Sequence, residues 1–568
     1  MYDRATAPVV KRISFLSSEQ TFQVRVLAGA QKTKGFWQKS AWALFARTRK
    51  PECDGARRGR DHFEYKMSCD RVRLNSHIPM HTFSIPPEVS RITKTLKNAN
   101  FEAYLIGGCV RDLFLGKNPK DWDVTTNANP EEIVALFEKT FYENEYGTVG
   151  IVNEDAADET LKIVEVTPYR TEGKYTDKRR PDSVSFVANL LDDLKRRDFT
   201  MNAIAYDTET KKIVDPYEGR IDASKSLIRT VGEPMERFEE DALRIMRAVR
   251  LYSELGFTIE QKTAEAIQKA APLLVHIAKE RIRDEFTKIV MSKNPMDGLI
   301  MAHQLGILKF IVPELEQAIG VEQNQAHSFD VWVHLLKSLQ ASADKNWPIH
   351  IRLAALFHDI AKPATRRRSH EKNEWTFYGH EVVGERMTRA ILKNLKYSNE
   401  IIGTVTLLVR WHMFFSDTEL ITPSAARRMV ANVGKDLVWD LMNLRVCDRV
   451  GTGRPKENPY RLRKYKSMIE EVMRDPVSVG MLAVDGKGIM DITKERPSPK
   501  IGFILHALLE EVLENPALNT REVLEKRVLE LNNLSLKELE ALGKLGKDKK
   551  DIEDAKSIKQ IRRKYSVE

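Results

Sequence analysis

Four cysteines in 568 residues, none in a CxxC pair, give no basis for a disulfide framework or a thiolate zinc site. They suit a reducing cytoplasm, and that is the expected compartment. No apolar run approaches the roughly 18 residues that a spanning helix needs, which argues against a membrane protein. Positive charge is also scarce once it is located. The net charge is +10, but residues 1–66 hold 14 Lys and Arg against 6 Asp and Glu, so +8 of it sits in the N-terminal tail. Nucleic-acid binding elsewhere has to rest on local clusters rather than on global charge. No internal repeat is visible, and the length is too great for one ordinary core, so several domains in series are expected.

The first 80 or so residues show little helix or strand periodicity and no signal-peptide pattern. They read as a disordered extension, with Met67 or Met80 as the expected working start. From about residue 85 helices and strands alternate. SRITKTLKNAN (90–100) reads as a helix, FEAYLIGG as a buried strand, VRDLFLG as a helix, KDWDVTT as a strand and PEEIVALFEKT as a helix with Pro130 near its start. GTVGIV and LKIVEVTPYR read as further strands. Beyond DPYEGRIDA (215–223) the pattern is helical to a charged C-terminal stretch, KLGKDKKDIEDAKSIKQIRRKYSVE.

Two constellations carry chemistry. In the first, Gly107 and Gly108 join a strand to a helix, where bare backbone can approach a ligand and offer N–H groups to phosphate. Arg111 lies on the first helical turn. Asp121 and Asp123 follow; at i and i+2 on a strand they share a face, and two such carboxylates repel unless a cation lies between them. Glu165, in an alternating strand, is a candidate third carboxylate. RRDFTMNA (196–203) offers Arg196 and Arg197 to phosphate or ribose, with Asp198, Thr200 and Asn202 as short polar groups. Read alone, it is also compatible with a capped helix entry. EEDALRIMRAVRL (239–251) reads as one helix on which Asp241 and Arg244 share a face. That pair is either a surface ion pair or a base reader. Cytosine and adenine both present an amino donor beside a ring-nitrogen acceptor, so one carboxylate and one guanidinium would select them together.

GGCVRD, KDWD, EVTPYRTEGKYTDKRRPD, DLKRRDFTMNAIAYD, EDALRIMRAVRL and AKERIRDEF resemble, in that order, the class II nucleotidyltransferases of the polymerase-beta superfamily. These comprise bacterial CCA-adding enzymes and poly(A) polymerases. The resemblance implies Asp121 and Asp123 as catalytic ligands of Mg²⁺. It implies nucleotide contacts at Gly108, Arg111, Arg197, Asp241, Arg244, Arg247 and Arg250, and a flexible loop at residues 170–181. YGTVGIV, EDALR and KIGFILHALLEEVLENPALNTREVLEKR (500–527) resemble the CCA-adding branch, whose substrates are tRNA, CTP and ATP. A poly(A) polymerase and the A-adding member of a split CC/A system are the alternatives. No obligatory protein partner is evident.

The second constellation explains why seven of the 13 histidines lie between His327 and His412. His334, the adjacent His358 and Asp359 in an apolar helix, His380, His412 and Asp448 run in the order H…HD…H…H…D. Imidazole and carboxylate together suit a divalent metal that polarises phosphate and activates water. The order resembles the HD phosphohydrolase superfamily. That resemblance implies a primary metal site at His334, His358, Asp359 and Asp448, and a second metal or a phosphate at His380 and His412. Lys362 becomes a phosphate contact. The expected fold is an α/β nucleotidyltransferase head, a small mixed sheet with helices, followed by an all-α neck, body, HD domain and tail. The expected divisions are 1–84 extension, 85–223 head, 224–325 neck and body, 326–455 HD domain and 456–568 tRNA-anchoring tail.

Overall fold

The computed structural model describes residues 83–142, 147–172, 184–186, 189–323, 328–368, 374–414, 422–454 and 456–542. Residues 1–82 of the expected N-terminal extension, residues 173–181 of the expected flexible loop and the charged C-terminal stretch lie outside the described residues.

The head begins with helix Pro87–Asn98, where proline occupies the first turn and Val89, Ile92, Thr93 and Leu96 form the buried stripe. That stripe covers a seven-stranded mixed sheet. Its strands are β1 (Ala103–Ile106), β2 (Asp123–Thr126), β3 (Thr140–Tyr142), β4 (Val149–Val152), β5 (Ile163–Pro168), β8 (Ala205–Tyr206) and β9 (Ile213–Val214), in the order β3-β4-β5-β2-β1-β8-β9. Only β2 and β5 run parallel. β6 (Arg170–Glu172) and β7 (Val184–Phe186) form a separate antiparallel pair.

Two expected helices are shorter than the apolar periodicity suggests. The one starting at Pro130 has a capping box between Asn129 and Glu132 but stops at Leu136, because Phe137 turns extended and the chain returns as β3. Residues 239–251 split into helices Pro234–Glu240 and Leu243–Leu255, with Asp241 extended between them (φ −137°, ψ 104°). Asp241 Oδ1 accepts the Leu243 N–H at 3.0 Å, the capping role an aspartate fills at a helix start.

The remainder is largely helical rather than all-α: among the described residues two short strand pairs interrupt it, Leu227–Ile228 with Thr258–Ile259 and Arg367–Arg368 with Trp375–Thr376. One apolar core runs from Phe199 to Leu539, separate from the head core around Val89, Val124 and Val166. Among the described residues no helix is long and apolar enough to cross a membrane. Helix Lys279–Met291 joins the side of this core near Phe199 and Met246 to the histidine-rich side. Its Arg283 donates to Lys396 O at 2.6 Å, and Thr287 shares a 2.7 Å hydrogen bond with Tyr397. At its far end Arg352, 2 % exposed, donates to Trp347 O, Val290 O and Ser292 O at 2.8, 3.1 and 3.0 Å. Arg352→Met would leave these carbonyls without their donor, so a loss of roughly 3 kcal/mol is expected. Urea unfolding followed by circular dichroism measures it; an unshifted midpoint would show that water replaces the guanidinium.

Candidate active site and metal centre

The carboxylates of the head lie where β1 ends and β2 begins, beside helix Gly108–Phe114. Gly107 has φ +79°, and a Cβ there would sit 3.1 Å from Asp123 Oδ2 and 3.5 Å from Arg197 Nη1. Only glycine permits both the left-handed backbone and that approach. Asp121 is exposed and precedes the regular strand; Asp123, half-buried, is its first residue. Burial pushes the Asp123 carboxyl up to about 6; Arg197 opposes the rise and Asp121 adds to it. A carboxyl disfavoured as an anion by both burial and a neighbouring carboxylate fits a divalent-cation ligand. Glu165 is the β5 residue in register with Asp123, so the parallel pairing sets these two acids side by side on one face.

The arginines are joined by a chain of buried polar groups. Arg111 Nη1 donates to Asn202 Oδ1 at 2.9 Å, Asn202 Nδ2 to Asp198 Oδ1 at 3.3 Å, and Arg247 Nε to Asp198 Oδ2 at 2.7 Å. Asp198 is held to about 2, because Arg247 and the Phe199 N–H outweigh its burial. It therefore stays charged and locks the RRDFTMNA segment to helix Leu243–Leu255. Arg197 and Arg196 pair with the buried Asp193. Thr200, one of the short polar groups of this segment, donates to Asp222 at 2.5 Å.

Asp241 and Arg244 each have another partner. Arg281 Nη2 donates to Asp241 Oδ2 at 2.8 Å, and Arg244 bonds Glu240 at 2.6 Å and the backbone carbonyls of Arg237 and Arg196. The reading as one ion pair on one continuous helix is thereby corrected: the break at Asp241 turns its carboxylate toward Arg281. Arg250 bonds Glu285 at 3.0 Å and lies 3.6 Å from Glu254, so it braces helix Lys279–Met291, whereas Arg247 belongs to the Asp198 network. Sequence reasoning passed over Arg281, Asp193 and Glu240. AKERIRDEF marked the Arg281 segment without indicating its partner.

The second site gathers residues from three helices and from the C-terminal ends of two others. His334 comes from Val331–Asp344 and Asp448 from Leu437–Gly451. These helices meet so closely that a Cβ on Gly451 would collide with Ser338 and the His334 carbonyl. His358 and Asp359 are not within a helix: Ile349–Phe357 ends just before them, and the turn points both side chains inward. His380 opens His380–Asn394, and His412 caps Asn399–Trp411.

Asp359 divides this cluster. Its Oδ2 lies 3.1 Å from His334 Nε2 and 3.4 Å from His358 Nε2, which also approach Asp448 Oδ1 at 3.4 and 3.7 Å. Its Oδ1 lies 3.1 Å from His380 Nε2 and 3.5 Å from His412 Nε2. His334 and His358 face one another through Nε2 at 2.9 Å, and His380 and His412 at 3.3 Å. His358, His380 and His412 each direct Nδ1 at the backbone carbonyl three residues earlier, at 2.9, 2.7 and 2.6 Å. With the ring proton held at those carbonyls, the Nε2 lone pairs aim inward, an arrangement that suits a shared cation. Burial holds His412 down at about 4, so it is a neutral donor. Burial would raise Asp359 and Asp448, but Lys362 and His358 hold the first well below the carboxylate range, and Arg445 and His358 the second. The donor set thus fits divalent metal on both sides of Asp359. Lys362 lies 2.5 Å from Asp359 Oδ2 and 2.6 Å from Gln323 Oε1, which makes it a partner of the central carboxylate. Arg445, which holds Asp448 Oδ2 at 2.6 Å, went unread in the sequence although i, i+3 spacing was its signal.

A mixed-sheet head with paired acids beside a Gly-Gly turn, continuing into a helical region with an H…HD…H…H…D cluster, defines a nucleotidyltransferase with an HD domain. The chain matches the poly A polymerase head domain family over residues 103–229, the "probable RNA and SrmB- binding site of polymerase A" over 256–319 and the HD domain over 325–451. It is 34% identical over 438 residues to a CCA-adding enzyme of Lactiplantibacillus plantarum, covering 76% of this chain and 93% of that one. It is 32% identical over 452 residues to the CCA-adding enzyme of Geobacillus stearothermophilus, covering 79% and 98%. Its structure is similar to that of the Bacillus stearothermophilus CCA-adding enzyme in complex with CTP, with a TM-score of 0.59 and 28% identity over 79% of this chain and 98% of that one. The chain belongs to the CCA-adding enzyme family.

Proposed function

We propose that this protein rebuilds the 3′ end of tRNA, adding C, C and A from CTP and ATP without a nucleic-acid template. The observation that carries the reading is the junction of three sequence motifs through Asp198: one buried carboxylate ties Arg247 to Asn202 and, through it, to Arg111. Arg111 and Arg197 would receive the triphosphate beside the N–H groups at Gly108. Mg²⁺ at Asp121 and Asp123 would supply charge neutralisation at the reacting phosphate. The tRNA 3′ hydroxyl attacks the α-phosphorus in line, the bond to the β-phosphate oxygen breaks, and pyrophosphate leaves. Asp241 would accept from the base amino group and Arg244 donate to the adjacent ring nitrogen, with Arg281 and Glu240 fixing the two side chains.

The test is incorporation on tRNA lacking its last three nucleotides, with CTP and ATP supplied singly and together. Products that stop after C, C and A support the reading. An ATP ladder moves the protein to the poly(A) branch, and A added only after CC indicates half of a split system. Asp241→Ala is expected to cut discrimination against UTP by about 10- to 100-fold, the worth of one hydrogen-bonded base contact. Unchanged discrimination would remove Asp241 from base reading.

The HD cluster supports a second activity, metal-dependent hydrolysis of phosphate esters. The observation favouring it is the inward-facing set of four imidazoles and two carboxylates, one of which is common to both groups. RNA ends carrying 2′,3′-cyclic or 2′-phosphates are the proposed substrates, and release of phosphate or opening of the cyclic ester is the assay.

A further inference from the structure

Between Lys362 and His380 the chain folds into a hairpin that the metal cluster does not need for its ligands. Strand Arg367–Arg368 pairs antiparallel with Trp375–Thr376, Arg367 opposite Thr376 and Arg368 opposite Trp375. The two-residue alternation places Arg366 on the face of Arg368 and Trp375. The Arg366 guanidinium carbon lies 3.7 Å from the Trp375 ring centroid, a stacked cation–π contact. Arg367 and Arg368 are exposed, and Tyr378 is 70% exposed. Glu322 lies 3.8 Å from Arg366, and in the sequence of the segment Glu371 and Glu374 stand against Arg366, Arg367, Arg368 and Lys372, so positive charge still dominates.

The base of the hairpin belongs to the metal centre. Phe377 is buried, lies 5.6 Å from Lys362 Nζ, and accepts the His380 Nδ1 hydrogen bond through its carbonyl. His380 follows Thr376 by four positions, which limits that distance to about 14 Å even if fully extended. Exposed arginines are ordinarily only solvated, and a single exposed tyrosine needs no explanation. Three consecutive arginines, a stacked tryptophan and an exposed tyrosine, on a segment whose two ends carry residues of the cluster, make a different case. Cations for backbone phosphates interleaved with rings for bases are the elements of single-strand recognition.

We propose that this hairpin grips single-stranded RNA and feeds its terminal phosphate to the HD cluster. The arginines bind phosphates upstream of the scissile one, and Tyr378 offers a face for a base. The inference rests on the hydrolase reading. For a 2′,3′-cyclic end, water adds to phosphorus, one P–O ester bond breaks, and the freed ribose oxygen takes a proton, leaving a phosphomonoester.

The test uses the full chain, loaded with Mn²⁺ or Ni²⁺, and two substrates: a short single-stranded RNA with a 2′,3′-cyclic end, and bis(p-nitrophenyl) phosphate, which has no RNA to grip. In the Arg367→Ala/Arg368→Ala double variant, the ratio of kcat/KM on RNA to kcat/KM on the small ester is expected to fall at least tenfold, mostly through KM. The slope of log KM against log salt should become shallower by about 1.4, because each lost phosphate contact on a single strand contributes about 0.7. Tyr378→Ala should lower the ratio about fivefold, near the lower limit for one stacked base. Melting curves matching the native chain verify folding. An unchanged ratio, or equal losses on both substrates, overturns the proposal. If the native chain hydrolyses neither substrate, the hydrolase reading fails by itself. Fluorescence anisotropy with the same RNA then decides the grip: a tenfold affinity loss in the double variant upholds it, and equal affinity overturns it.

Discussion

Asp123→Asn is expected to lower incorporation of both CTP and ATP by at least ~10³-fold, with tRNA affinity retained in a filter-binding assay. The variant keeps the side-chain volume beside Gly107 and removes only the charge. Burial pushes the Asp123 carboxyl up to about 6, a rise that Arg197 opposes and Asp121 reinforces. A bound metal would make its ionised form favourable, so the amide should cost catalysis and little stability. Arg197 would not be stranded, because Asp193 pairs with it independently. Equal loss of both nucleotides matters, since the role proposed for this carboxylate is at the phosphate and not at the base. A variant that lost only ATP addition would move Asp123 from catalysis to base selection. Gly107→Ala offers a geometric companion. Its Cβ would press on Asp123 Oδ2 from a backbone conformation alanine rarely adopts, so it should impair both additions as well.

Asp359→Asn is expected to remove bound metal from both halves of the HD cluster, whereas His334→Ala and His380→Ala should each deplete mainly one half. Each Asp359 oxygen faces its own pair of imidazoles, so no other cluster residue serves both sides. Elemental analysis after dialysis against Mn²⁺ or Ni²⁺, with the chain concentration measured in parallel, reads the stoichiometry. Asparagine is chosen over alanine because Lys362, itself buried, is paired with this carboxylate, and an abrupt truncation would confuse metal loss with unfolding. Native-like metal content in Asp359→Asn would exclude a bridging role. Equal, complete loss in both histidine variants would point to one metal held by the whole cluster rather than two.

Much of this molecule was legible because the relevant physics is local. The turn at Gly107 and Gly108, the closeness of Asp121 to Asp123 and the sequence of histidines around His358 each follow from short-range stereochemistry or adjacency along the chain. Where local signals misled, tertiary contacts overrode periodicity. EEDALRIMRAVRL has a continuous helical pattern, yet Asp241 leaves the helix, caps the next one and reaches Arg281. PEEIVALFEKT carries helix-compatible apolar spacing, yet Thr140–Tyr142 pairs with β4 and Phe141 covers Gly150.

The sequence by itself determined the class of the head, the candidate carboxylates and the metal-type donors of the second site, because residue identity and short spacing decide which groups can carry such chemistry. Tertiary structure alone decided the partners. Asp198 became the junction of three motifs, Arg281 the holder of Asp241 across 40 residues of chain, and Asp359 the carboxylate with one oxygen for each half of the HD cluster. Such pairings depend on which helix faces meet and at what distance, and a side chain's neighbours across a packed core leave no periodic trace in its own segment.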